Sequence, residues 1–324
     1  MKKRDLQQRI DQYRESIGRE LDRLPDMDFV DGIQVPVKYA LDARGKCLRP
    51  VLVLLVGEGL GIAQDRLMKT ATAVEILHTF TLVHDDIMDR DEVRRGQATV
   101  HVRWNDSTAI LTGDALFALA FQQLLKTETR NLNHLSRYFC EIVLRICEGQ
   151  ALDMAFEKQD RVSQVEYLEM VQKKTGEILG FACSCPAIVG AQDDRIIDGL
   201  YHFGSRIGQA FQIQDDLLEI TSSRETMGKS LDSDILAEKK TYPLILALSG
   251  MPASEQREFL AFIKANRRKR DRLIMAYEKH HCLSRSRKKV QQLLHQALED
   301  VNHLPLALQQ DLNSFIDFLA QRKS

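Results

Sequence analysis

The chain has 324 residues, 44% of them apolar and 28% charged, with a mean hydropathy of -0.28 and a formal net charge of -1. These values exclude an intrinsically disordered chain and a global basic field of the kind that drives nonspecific nucleic-acid binding. The length suits either two average domains or one large helical one; with no Gly-, Ser- or Pro-rich linker and no internal repeat, a single domain over residues 1–324 is expected.

In chain order, MKKRDLQQRIDQYRE alternates charges on a helical pattern and lacks the apolar core of a secretory signal, so it reads as mature protein. GKCLRP, residues 45–50, reads as a turn that carries Lys46 and Arg49. The most apolar run, VLVLLVGEGLGIA from Val51, is shorter than a bilayer span and contains Glu58, so no transmembrane segment is expected. Beyond it, apolar residues recur at spacings of three and four, and alternating β-branched runs are hard to find, which predicts an all-α protein. The seven prolines (Pro25, Pro36, Pro50, Pro186, Pro243, Pro252 and Pro305) include several that sit where helices could begin or end.

Six cysteines (Cys47, Cys140, Cys147, Cys183, Cys185 and Cys282) form no CxxC pair, which fits reduced thiols and a cytoplasmic location. Cys183 and Cys185, in GFACSCPAIVGA, read as helix-packing residues. The adjacent His280, His281 and Cys282 read as surface residues, and no His/Cys cluster has zinc spacing. The basic run KANRRKRDR from Lys264 lacks interleaved aromatics and reads as a solvated face, not a nucleic-acid site.

Two acidic segments echo each other: VHDDIMD, residues 83–89, and IQDDLLE, residues 213–219. On a helix, Asp85 and Asp89 share a face, Asp86 stands about 100° round from Asp85, and His78 lies along the same stripe. Clustered carboxylates repel by roughly 3 kcal/mol per pair at about 5 Å and an effective dielectric near 20, so a positive charge should relieve them. Hard carboxylate oxygens suit Mg2+, which completes its shell with water and phosphate oxygens. Asp215 and Asp216 emerge from an apolar stretch with Gly204 and Gly208 behind it, not from an evidently solvated face. If the two helices face each other, their acids would surround one cavity and bridge metal ions to a polyphosphate. Arg94, Arg95, Lys46, Arg49, Lys229, Lys239 and Lys240 are candidate phosphate contacts.

Between Tyr39 and Leu246, the ordered motifs GKCLRP, EILHTFTLVHDDIMDRDEVRRG, KTG at Lys174, FQIQDDLLE and GK with SDILAEKKTYPL resemble those of the trans-type isoprenyl diphosphate synthases. The resemblance implies an all-α bundle of antiparallel helices around a central cavity, usually a homodimer. The implied reaction is head-to-tail condensation of an allylic diphosphate with isopentenyl diphosphate. Carried over by position, Asp85, Asp86, Asp89 and Asp215 would bind Mg2+, three ions per site, with Asp216 and Glu219 in support. Arg94, Lys174, Lys229 and Lys239 would contact the allylic diphosphate. Lys46, Arg49, His78 and Arg95 would hold isopentenyl diphosphate, and Thr175 and Gln212 would lie near the developing cation.

Two positions depart from the family pattern: Glu219 stands where aspartate is usual, and Cys47 where arginine is usual. Phe80, five places before the first aspartate, and its neighbour Thr81 occupy the chain-length positions. By resemblance to the archaeal-type enzymes, the aromatic ring implies a twenty-carbon geranylgeranyl product. Farnesyl or longer polyprenyl products are the alternatives. A terpene cyclase would not need a second diphosphate site, and a noncatalytic regulatory subunit would not need both acidic segments.

Overall fold

A computed structural model describes residues 3–24, 30–221, 239–266 and 269–320. Lys229 lies outside the described residues. The chain divides into two compact units. The first comprises residues 1–141, 181–201 and 301–321, and the second residues 142–180, 202–300 and 322–324.

In the first unit, α1 (Lys3–Asp22) buries Leu6, Ile10, Tyr13, Ile17 and Leu21, a three-and-four spacing that makes one apolar stripe. That stripe packs on α3 (Leu48–Gly59), α4 (Gln64–Met88) and α15 (Leu306–Ala320). Arg9 on α1 bridges Glu58 of α3 at 3.0 Å and Asp311 of α15 at 2.9 Å, tying those three helices together. The apolar run from Val51 is the buried body of α3, and α4 is buried almost all round from Thr70 to Leu77. A central helix of this kind has no polar face, which is why its first half shows no amphipathic stripe. Its second half, from His78 to Met88, is only partly buried and carries the polar motif.

Between α1 and α3, α2 (Asp31–Asp42) packs with α6 (Asp106–Leu125). After α4 a two-stranded antiparallel ribbon, β1 (Val93–Arg94) and β2 (Gln97–Ala98), leads through the short α5 (Val100–Arg103) into α6, which packs along α4. By length and composition α6 is apolar enough to cross a membrane, and 44% of its apolar window is buried inside the protein. It is a different segment from the Val51 run.

The second unit has its own core. There α8 (Gln164–Val171), opened by a capping box between Ser163 and Glu166, packs with α11 (Tyr242–Ser249). α11 also packs on α13 (Arg270–Lys279) and α14 (Cys282–Asp300), and α12 (Ala253–Asn266) packs on α13. Phe156, Tyr167, Ile213, Leu217, Tyr242, Leu246 and Tyr277 are among its buried residues. Three helices, α7 (Leu132–Glu157), α9 (Glu177–Val189) and α10 (Asp194–Thr221), contribute residues to both units.

The all-α expectation holds: among the described residues the ribbon is the sole sheet. Two details differ from the sequence reading. Pro36 and Pro186 lie inside α2 and α9 instead of at helix ends. At Pro186 the missing N–H releases the carbonyl of Ala182, which accepts a weak bond from the Cys185 thiol at 3.8 Å. Cys282, expected at the surface, is fully buried, because the first turn of α14 packs inward with Leu283.

Candidate active site

Each unit carries one acidic helix end. In the first, Asp85 and Asp89 are half-buried near the end of α4, where the Asp89 N–H donates to the Asp85 carbonyl at 2.8 Å. Asp86, only 5% exposed, forms an ion pair with the Arg94 guanidinium, which also donates to Asp91 at 3.1 Å. The positive charge needed to relieve the acidic cluster is therefore supplied from β1.

Arg95 and Gly96 form the two-residue turn of the ribbon, with φ of 53° and 77°. Positive φ at both central positions is the geometry that matches strand twist; glycine adopts it easily, whereas arginine there stores strain of about 1 kcal/mol or more. The strained backbone turns Arg95 toward the α2–α3 connection. Its guanidinium donates to the Ala43 carbonyl at 2.6 Å and lies so close to Gly45 that a Cβ there would overlap it. On the same side, Arg49 donates to Nε2 of His78 at 3.0 Å. Because arginine can only donate, His78 Nε2 is an acceptor and the imidazole is neutral. Burial, with Arg49, Arg95 and Arg94 nearby, holds its pKa well below the usual histidine range. Lys46, Arg49, His78 and Arg95 thus belong to the surroundings of one turn. Lys46 precedes Cys47, whose φ of 45° marks the left-handed start of α3.

Phe80 is partly buried in an aromatic series. Its ring meets His84 at 4.9 Å and Phe117 of α6 at 5.7 Å, and Phe139 lies 6.5 Å beyond Phe117. The neighbouring Thr81 hydroxyl donates to the His78 carbonyl at 2.8 Å.

In the second unit, Asp215 is half-buried on α10 while Asp216 and Glu219 are 5% and 6% exposed. Asp216 accepts from the Tyr167 hydroxyl at 2.6 Å, from the Tyr242 backbone N–H at 2.7 Å and from Gln212 at 3.4 Å. Burial and the adjacent carboxylate push the Tyr167 phenol well above its ordinary pKa, which keeps it a donor. Arg270 donates to the Glu219 carbonyl at 2.8 Å.

Lys174 and Thr175 sit in a π-turn, Gln172–Gly176, inserted between α8 and α9; such wide turns recur at functional sites. A Cβ on Gly149 would overlap the backbone at Lys174, and one on Gly208 would come within 2.7 Å of the Gly176 Cα. These glycines therefore leave room for the widened turn. Lys174 pairs with Asp153 at 2.5 Å, and Thr175 donates to Gln212 at 3.4 Å. Lys174, Thr175, Gln212, Asp216 and Lys239 line one cleft of about 70 Å³ together with Asp153 and Tyr167.

Asp153 and Tyr167 are site residues that sequence reading missed. Neither carries a motif or spacing that marks it in the sequence. Among the described residues, no group of three or more His, Cys, Asp or Glu side chains is set to hold a metal ion. The donor chemistry still fits Mg2+, which takes one or two carboxylates and fills its shell with water and phosphate. Asp85 and Asp89 offer such a pair on one helix end.

A polyprenyl synthetase family profile matches residues 30–280. The chain is 42% identical over 233 residues to the geranylgeranyl pyrophosphate synthase of Geoglobus acetivorans, covering 71% of this chain and 73% of that one. It is 40% identical over 223 residues to a geranylfarnesyl diphosphate synthase of Natronomonas pharaonis, covering 63% and 65%. Among solved structures it resembles a polyprenyl synthase from Caulobacter crescentus CB15 complexed with calcium and isoprenyl diphosphate, with 27% identity, a TM-score of 0.85 and 98% of each chain covered.

The molecule is an all-α protein of the isoprenoid synthase fold. The chain belongs to the polyprenyl synthetase family, and within it is a short-chain trans-prenyltransferase.

Proposed function

We propose that this prenyltransferase is a Mg2+-dependent geranylgeranyl diphosphate synthase in which both acidic helix ends serve one reaction. The observation that carries this reading is their shared design: in each, the first aspartate is half-exposed and the second is buried and held from behind. In this reading Asp85, Asp89 and Asp215 would hold Mg2+, three ions per site, for the allylic diphosphate, with Asp86, Asp216 and Glu219 in support. The calcium and isoprenyl diphosphate of the Caulobacter relative support a divalent cation and a diphosphate. The metal supplies neutralisation of the charge that builds on the departing diphosphate.

The chain's own side chains do the rest. Arg94, Lys174, Lys229 and Lys239 grip the allylic diphosphate, and Lys46, Arg49, His78 and Arg95 orient isopentenyl diphosphate. As the allylic C–O bond breaks, the alkene of isopentenyl diphosphate supplies the electron pair for the new C–C bond. Thr175 and Gln212, polar but uncharged, face the cation without quenching it. The proton lost afterwards passes to the departed diphosphate. The chain acts as one catalytic domain in a cytoplasmic homodimer.

Product length rests on Phe80. Backed by His84 and Phe117, its ring is braced to close a hydrocarbon tunnel at twenty carbons. Relatives named for twenty- and twenty-five-carbon products are almost equally similar, so overall similarity does not choose the length. Purified protein with Mg2+, isopentenyl diphosphate and farnesyl diphosphate should yield geranylgeranyl diphosphate, and Phe80→Ala should yield longer chains. Unchanged chain lengths in Phe80→Ala would remove the proposed stop. Cyclic hydrocarbon would instead indicate a cyclase, and silence with every allylic starter a regulatory subunit.

A further inference from the structure

The ribbon that carries Arg94 and Arg95 rests against the end of α2, and one residue there holds it at two points. Tyr39, half-buried in the last turn of α2, donates its hydroxyl to the Ala98 carbonyl of β2 at 2.7 Å. Its backbone carbonyl accepts from the Ala43 N–H at 3.2 Å, and the Ala43 carbonyl in turn accepts from the Arg95 guanidinium at 2.6 Å. The contacts close a circuit: Tyr39 to β2, round the two-residue turn to Arg95, then to Ala43 and back to Tyr39. Tyr39, Ala43, Arg94, Arg95 and Ala98 line one cleft. The Tyr39 ring is itself fixed from the other side. It meets the Trp104 ring edge-on at 5.3 Å, and the Arg103 guanidinium lies 4.3 Å from its centre and 4.9 Å from that of Trp104.

The two arginines are held unequally. Arg94 is paired with two carboxylates, Asp86 and Asp91. Arg95 sits at positive φ, a conformation that persists only where neighbours over-determine it, and its guanidinium is bonded to a neutral carbonyl. We propose that Tyr39 is a positioning residue for isopentenyl diphosphate: its hydroxyl pins β2 and its backbone carries Ala43, so that the strained turn presents Arg95 already aimed. This rests on the assignment of Arg95 to isopentenyl diphosphate. A side chain fixed before its ligand arrives loses less conformational freedom on binding. Removing the pin should therefore weaken binding at Arg95 and spare Arg94, which keeps its carboxylates.

Tyr39→Phe tests the inference in the full-length enzyme, because it deletes the hydroxyl and keeps the ring against Arg103 and Trp104. Both KM values are measured beside thermal melting. The KM for isopentenyl diphosphate should rise about three- to tenfold, the effect of one neutral hydrogen bond, while that for the allylic diphosphate and the melting temperature hold. In an Arg95→Ala background Tyr39→Phe should add little, because it acts through that guanidinium. Suppose Arg95→Ala raises the KM for isopentenyl diphosphate. If Tyr39→Phe then leaves that KM unchanged, raises both KM values alike, or lowers only the melting temperature, Tyr39 serves stability alone and the inference is overturned. If Arg95→Ala itself leaves the KM for isopentenyl diphosphate unchanged, the assignment of Arg95 has failed and the inference falls with it.

Discussion

The two acidic helix ends carry nearly the same letters and solve the same electrostatic problem differently. On α4, the buried Asp86 is balanced by a full charge, Arg94, delivered from a neighbouring ribbon. On α10, the buried Asp216 accepts from two neutral donors, the Tyr167 hydroxyl and the Tyr242 N–H, in a cleft that Lys174, Lys239 and Lys240 also line. An ion pair neutralises a carboxylate, whereas neutral donors stabilise it and leave its charge in place. The pattern also divides labour within each pair, the first acid facing outward and the second anchoring the helix.

The strongest way to break this division is to remove the outward acids. Asp85→Ala and Asp215→Ala should each lower turnover by about 10²–10³-fold, with melting temperatures held to within ~2 °C. Incorporation of labelled isopentenyl diphosphate and thermal denaturation measure both. Asp216→Ala should instead cost stability, about 2–4 kcal/mol in denaturant titrations, because the Tyr167 hydroxyl and the Tyr242 N–H lose their acceptor inside the core. A large activity loss with unchanged stability would contradict the anchoring role. Tyr167→Phe, which deletes one of the donors, should cost about 1 kcal/mol.

A separate effect is a pH dependence on the α4 side. Because the folded protein holds the His78 pKa below its ordinary value, the unfolded chain binds the proton more readily. Stability should therefore fall as pH drops from about 6.5 toward the folded pKa, by up to about 1.4 kcal/mol per pH unit for one proton. His78→Gln should flatten that slope in urea titrations at about pH 7.5 and 5.5; an unaltered slope would place the acid sensitivity elsewhere.

The helical class was legible because three-and-four spacing survives in most segments, and the echo of two acidic motifs was legible because it is local. What the acids pair with was not. Tyr167 lies 49 residues before Asp216, and no short-range pattern links a tyrosine to a buried carboxylate at that distance. Glu75, an acid 4% exposed on α4, was hidden for a related reason: from Thr70 to Leu77 every residue is inside, so its burial leaves no mark on periodicity. Pro186 misleads as a helix end because tertiary packing outweighs a local breaker. Cys282 misleads because its polar neighbours suggest a surface it does not occupy.

The widened turn at Gln172–Gly176 carries a further implication about how this site tolerates change. A wide turn of this kind is a helix holding one residue more than its regular winding needs, so shortening the segment by one would restore an ordinary coil. The helices on either side would then keep their faces, but the wide turn that presents Lys174 and Thr175 would be lost. Lys174 and Thr175 could no longer both address Asp153 and Gln212. The site depends on the length of this stretch as well as on its side chains.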